Sequence, residues 1–383
     1  MISVEEFKKN GVYIYGVGRI GKKACALFEF MEIPIKGFLV SDIKGCARKF
    51  HGIDIKEITD ARLEEKVSII VTVPQSSVND VIGMIEKTKA NPYLIWEDRC
   101  FEELWLGNDY SFIDRRRHKE KVLFILCGYK DFLWQEVFGR VKKYVLEDIE
   151  ICLCSSGLYS EKLNEIAAEN NWSYLSTAIN SLTLVQNIAF SIYKDSKWIY
   201  KMDEDIFITK DCLRNLYLAY ENVRKDSPYH VGVMAPLIPL NEYGARFILE
   251  RYGCIADFES RFGKLYFGGD GKIINTKEIA PYMWGRYGKL PDIDTMAKDF
   301  ENSNQITACA TRFNIGLILF ERMLWTDIKG FTVSGGTDLG SDEEEICSWC
   351  VSMSRPILVA HNAVAGHFSF GPQEAVMKDY LYK

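Results

Sequence analysis

No run of about 18 or more apolar residues occurs anywhere in this 383-residue chain, and that length is what a membrane-spanning helix needs. The opening MISVEEFKKNG has neither the basic start nor the apolar stretch of a signal peptide, so the cytoplasm is the expected location. An excess of basic charge is missing too. Lys and Arg number 47 against 53 Asp and Glu, a formal net charge of -6, which argues against a general nucleic-acid binder because such proteins present a basic face to the phosphates. Cys347 and Cys350 form the single CxxC among eleven cysteines, and no second CxxC or HxxxH accompanies it. A zinc site wants four ligands, so reduced, mostly buried thiols are expected. With 48% hydrophobic and 26% charged residues, the chain has the composition of a globular protein long enough for two cores.

The first hundred residues carry one pattern. VYIYGVGRIGKKACALFEFME gives an apolar strand, then Gly16, Gly18 and Gly21 in GxGxxG spacing, then a helix with Ile20, Ala24, Leu27, Phe28 and Met31 on one face. A second strand, IKGFLVSD, leads to Asp42, about where a Rossmann unit holds its ribose-binding acid. KVSIIVTVP is a third strand and VNDVIGMIEKTK a helix after it. Together they predict an open parallel sheet with an anion site at the first turn. Gly16, Gly18, Gly21 and Asp42 are therefore the candidates for holding a nucleotide, the alternative being that the glycines serve close helix-to-strand packing. Residues 10 to 98 resemble the N-terminal nucleotide-binding-like domain found beside bacterial sugar-modifying enzymes, including acetyltransferases that act on nucleotide sugars.

Residues 107 to 120, GNDYSFIDRRRHKE, read as a solvated linker, with a phosphate or anionic-lipid contact as the sharper use of Arg115 to Lys119. Strand and helix then alternate afresh: KVLFILCG, WQEVFGRVKKYV, DIEICLCSSG, SEKLNEIAAENN, and an amphipathic stretch SLTLVQNIAFSIYKD. Next comes KWIYKMDEDIFITKD, where three carboxylates interrupt an apolar strand. Burying an unpaired carboxylate is costly, so Asp203, Glu204 and Asp205 must meet cations or donors. On a strand Asp203 and Asp205 share a side that Glu204 does not. Two carboxylates at a strand end suit a hard divalent cation shared with substrate phosphates.

From these residues the second half resembles the GT-A glycosyltransferases, especially the family 2-like group of bacterial surface polysaccharide synthesis. The resemblance implies that Asp205 ligates Mn2+ or Mg2+ on the donor diphosphate and that Asp203 assists through the ribose or a metal-bound water; by itself a solvated turn after a strand gives the same DxD. RFNIGLILFERMLWTDIKGFTVSGGTDLGSDEEEICSWC looks like the acceptor half, with Gly340-Ser341-Asp342 as its GED-like turn. Asp342 is then the base that takes the acceptor's proton, or a helix N-cap. Glu343 to Glu345 suit the helix dipole.

In RPILVAHNAVAGHFSFGPQ the resemblance makes His367 a further metal ligand ahead of His361, a packed core histidine being the alternative for both. Tyr282, Trp284 and Tyr287 offer a sugar platform or a core cluster. One departure is CSSGLYSEK, where the family usually has a DDGS-like aspartate near the donor base. Lys130, just after the first strand of this half, and Ser155, in the CSSG that ends the second, take no assigned role. The expected architecture is thus an α/β chain with a Rossmann-like parallel sheet over residues 1 to 115 and a GT-A type domain over 116 to 383. The resemblance implies a metal-dependent, inverting transfer from a nucleotide-sugar donor to a saccharide or lipid-linked acceptor, with peripheral membrane contact in the latter case. Nucleotidyl transfer is a rival, but KVLFILCGYKDF lacks its glycine-rich basic loop. NAD(P)-dependent oxidation of a sugar nucleotide is another, and it would leave Asp203 to Asp205, Asp342 and His367 without a task.

Overall fold

The computed structural model describes residues 3–45, 47–88, 91–333, 340–369 and 371–382. They form two compact units. One takes the chain up to Asp109 together with Ile179–Ile192 and Trp325–Asp342; the other takes Tyr110–Ala178, Tyr193–Leu324 and the chain from Glu343 onward. The expectation was a linear division near residue 115, whereas two later segments here return to the first unit. Polar contacts tie these two segments to each other. Asn187, fully buried in the helix Leu182–Ile192, donates to the Phe331 carbonyl at 2.8 Å and accepts from the Phe331 N–H at 2.8 Å and the Trp325 indole at 3.1 Å. That helix was read as amphipathic, yet Thr183 through Ser191 are all buried.

The first unit contains a six-stranded sheet, with β1 (Val12–Tyr15), β2 (Ile35–Val40), β3 (Lys49–Phe50), β4 (Ile53–Glu57), β5 (Ser68–Val71) and β6 (Tyr93–Ile95) in the order β3-β4-β2-β1-β5-β6. All neighbours are parallel except the β3–β4 hairpin. β1 and β5 are buried at every position, the mark of central parallel strands covered on both faces. The helix Arg19–Phe30 buries Ala24, Leu27 and Phe28. The helix Val78–Lys87 packs Val81 and Ile85 with Tyr13, Tyr15, Ile69 and Val71 in one core. Strand order turns between β1 and β5, the kind of position at which open α/β sheets bind ligands at the carboxyl ends of their strands.

The second unit holds a mixed ten-stranded sheet. Its strands are β7 (Tyr110–Ile113), β8 (Lys121–Cys127), β9 (Ile149–Ser156), β10 (Ser173–Thr177), β11 (Trp198–Asp203), β12 (Ile206–Ile208), β13 (Val233–Leu237), β14 (Ile306–Cys309), β15 (Leu317–Glu321) and β16 (Ile357–His367). The order is β12-β16-β13-β15-β11-β8-β9-β10-β7, with β14 also on β16. β8 to β11 run parallel to their neighbours within that block, and β15 lies antiparallel between β11 and β13. The first strand corrects the linker reading. Tyr110–Ile113 pairs antiparallel with β10, and the basic run beyond it is partly consumed by packing. Arg115 donates to the Trp172 carbonyl at 2.9 Å, while Arg116 pairs with Asp114 at 2.7 Å and lies over the Phe112 and Tyr193 rings.

The described cysteines are free and buried. Among the described residues no helix is long and apolar enough to cross a membrane.

Candidate functional site

The three carboxylates stand where β11 ends. Asp203 is its last residue and pairs in register with Leu126 of β8. The chain then turns through Glu204 and Asp205 into β12, which pairs antiparallel with the last residues of β16, Ile206 opposite His367. This pairing brings a histidine from the far end of the chain to Asp205.

Each carboxylate has found its neutraliser. Asp203, with its side chain 36% exposed, accepts from Lys201 at 2.7 Å, and Lys201, almost wholly buried, also donates to the Ile315 carbonyl at 3.1 Å. Glu204 lies in a cradle made by the loop after β8. The backbone N–H groups of Gly128, Tyr129 and Lys130 donate to it at 2.9, 2.8 and 2.9 Å, and the Trp134 indole at 2.6 Å. Gly128 enters that loop at φ 139°, a conformation costly for any residue with a Cβ. Consecutive N–H groups aimed at one point form an anion nest, and here the anion is the protein's own.

Asp205 is buried, with His367 Nε2 at 3.3 Å and an ion pair to Lys130. Lys130 also donates to the Ser369 carbonyl at 2.8 Å, and the Asp205 carbonyl accepts from Phe368 N–H at 2.9 Å. Burial alone would raise the Asp205 carboxyl pKa. The His367 imidazole and the Lys130 ammonium outweigh it and hold the group well below the usual carboxylate range. Removing one partner from such a buried pair costs about 3–5 kcal/mol.

As placed, this set does not present the shell of a hard divalent cation. Such an ion takes several open oxygens. Glu204 is spent on four donors, Asp205 on an ammonium and an imidazole, and only Asp203 faces solvent appreciably. A metal-bound imidazole normally donates its second N–H to a partner, whereas His367 Nδ1 is buried without one among the described residues. No group of three or more His, Cys, Asp or Glu there is arranged to hold a metal.

The other expected residues lie elsewhere. Gly16 has φ 105°, and a Cβ on Gly21 would meet the Gly16 carbonyl oxygen at 2.1 Å, so that glycine is required by packing. Gly18 precedes the helix in extended conformation with nothing within 4 Å of a Cβ position. Asp42 is exposed and accepts from the Lys44 N–H at 2.8 Å. Two basic side chains on this helix reach backbone carbonyls, Arg19 that of Asp327 at 3.0 Å and Lys23 that of Gly330, while Lys22 lies over the Phe50 ring.

Asp342 belongs to the first unit, in the opening turn of the helix Ser341–Ser352; it is buried, and its Oδ2 accepts from Gln186 at 3.0 Å. The glycine-rich loop before it, 334–339, lies outside the described residues. His361 sits on β16 with Nε2 3.0 Å from the Thr307 hydroxyl, and burial lowers its pKa to about 4. Trp284 and Tyr282 are buried, the former donating to the His367 carbonyl at 3.1 Å and the latter to Asp257 at 2.9 Å, while Tyr287 is exposed. A cavity of about 360 Å³ lined by Phe247, Arg251, Asp299, Phe300 and His361 has none of the three carboxylates in its wall.

Sequence reasoning assigned nothing to Lys130, Lys201, Trp134 and the 128–130 cradle. The one available signal was a lysine two residues past the glycine that ends an apolar strand, in CGYKDF.

No family model matches the chain, and no curated protein matches it. Among solved structures, the mannosyltransferase PcManGT from Pyrobaculum calidifontis, in complex with GDP-Man and Mn2+, is similar over 76% of this chain at 12% identity and a TM-score of 0.39. This chain spans 66% of that protein's length. A likeness of that size says nothing of activity.

Proposed function

We propose that the chain is a glycosyltransferase that takes a sugar from a nucleotide-sugar donor and passes it to a hydroxyl of a saccharide or lipid-linked acceptor. One observation carries the reading. A cluster of acidic and cationic side chains stands at the carboxyl end of β11, in the interior of a mixed α/β sheet, the edge at which such sheets bind ligands. Asp203 is its solvent-facing carboxylate.

The reaction is a single displacement with inversion. The acceptor oxygen forms a bond to the anomeric carbon, the bond from that carbon to the diphosphate oxygen breaks, and the acceptor proton passes to a base. Asp342 is the proposed base, on the GED-like turn of the sequence. The diphosphate leaves with the bonding electron pair, so positive charge at the strand ends favours its departure. The Mn2+ or Mg2+ that the resemblance implies enters no step here.

The test is release of nucleoside diphosphate from a panel of UDP-, GDP- and CDP-sugars, with and without oligosaccharide acceptors. Acceptor-stimulated release from one donor supports the reading. Reduction of NAD(P)+ by the same sugar nucleotides, with no release, would move the activity to the oxidoreductase class.

A further inference from the structure

The charge that a cation would bring to this site is already built into the chain. Lys130 ends the cradle that holds Glu204, and its own side chain runs back to Asp205 and to the Ser369 carbonyl. An ammonium has three N–H donors. The described contacts use two of them, and the side chain keeps 16% of its surface exposed. The stem is fixed at both ends: at the backbone by the N–H bond to Glu204, at the tip by Asp205 and Ser369. A lysine so held is a positioned point charge of the kind that meets phosphate in many sites.

The carboxylates tell the same story from the other side. A divalent cation at Asp205 would have to displace Lys130 from a buried ion pair and turn His367 away from the carboxylate it faces at 3.3 Å. Glu204 could follow only by giving up four donors.

We propose that Lys130 is the cation that meets the donor's diphosphate, so that nucleotide binding at this site needs no divalent metal. The proposal rests on the donor reading above. Within it, Asp205 is a positioning residue: it aims the ammonium and balances its charge when no nucleotide is present.

The experiment is calorimetric titration of UDP, GDP and CDP into the full chain, once with Mn2+ and once with EDTA. It is run on the wild type, Lys130→Arg, Lys130→Met, and Lys130→Met combined with Asp205→Asn. The double variant removes both charges and keeps the test readable if Lys130→Met alone leaves Asp205 too poorly compensated to fold. At least one nucleotide should bind the wild type about equally in both buffers. Lys130→Arg should retain most of that affinity, and the folded Met variant, single or double, should lose about tenfold or more. Binding in Mn2+ that vanishes in EDTA overturns the inference and leaves the donor reading standing. Unchanged affinity in a folded Met variant overturns it as well. Failure of every nucleotide in both buffers removes the donor reading and the inference together.

Discussion

Two turns in this protein follow the first parallel strand of a sheet and lead into a helix, and they handle negative charge in opposite ways. The turn after β1 carries Gly16 and Gly18, with Gly21 in the first turn of the helix that follows, and leaves open space around Gly18. The turn after β8 carries one glycine, and its three successive N–H groups close on Glu204. The first looks like an anion site in sequence, and its glycines are at least half explained by packing, because Gly21 has no room for a methyl group. The second does not look like an anion site, yet it is one whose occupant is internal. Glycine content reports where a backbone can bend; it does not report where its N–H groups point.

Several changes sharpen or break this contrast. The largest expected effect is on turnover. Asp342→Asn should lower acceptor-dependent release by roughly 10²- to 10⁴-fold if the carboxylate is the base, while leaving the melting temperature near wild type. A near-normal rate would remove it from the mechanism.

Next is the internal anion. Glu204→Ala strips the acceptor from three backbone N–H groups and the Trp134 indole, and should cost about 3–5 kcal/mol in urea unfolding, as for a buried charge network that loses a member. A loss under about 0.5 kcal/mol, the usual range for a surface site, would show that the cradle is not structural.

The glycine turn gives a smaller, paired effect. Gly21→Ala should destabilise by about 1–3 kcal/mol through overpacking, and Gly18→Ala should be close to neutral, having open space and an ordinary φ of -73°. If both are neutral, packing does not explain Gly21. If only Gly18→Ala abolishes binding of a dinucleotide, the turn is a ligand site.

The smallest effect is on pH dependence. His361 has a folded pKa of about 4, below its usual 6.5, so the folded state takes up a proton less readily than the unfolded one. Its contribution to stability is present above about pH 6.5 and is lost as pH falls toward 4. Denaturant midpoints in that window should fall less steeply in His361→Gln. Asp205 has the same sign at lower pH, stabilising above the ordinary carboxylate range and losing that contribution as acid protonates it.

Much of the fold was legible. β1, β5, β8, β9 and β11 are apolar runs that a strand pattern finds readily, and the helices Arg19–Phe30, Trp134–Tyr144 and Glu161–Glu169 fall where their periodicity puts them. β7 was missed because its four residues sit in a polar stretch, and pairing with β10 stabilises them more than their own pattern does. The helix Leu182–Ile192 reads as amphipathic in sequence because an apolar run with Gln186 and Asn187 looks two-faced, whereas both amides are buried and bonded.

At the site, the carboxylates were legible as a problem in need of a counter-charge. The solution was not. Lys130 lies 75 residues from Asp205 in the chain, and His367 reaches it only through the register of β12 on β16. Nothing local in the sequence encodes either distance.

The central claim is that the acidic end of β11 receives a nucleotide-sugar donor, and Asp203 is its one carboxylate substantially open to solvent. The direct measurement is the affinity of a responding nucleotide sugar for the wild type and for Asp203→Ala, by calorimetry on folded protein. The account predicts binding to the wild type and a loss of about tenfold or more in the variant. Equal affinity in the two proteins would contradict it.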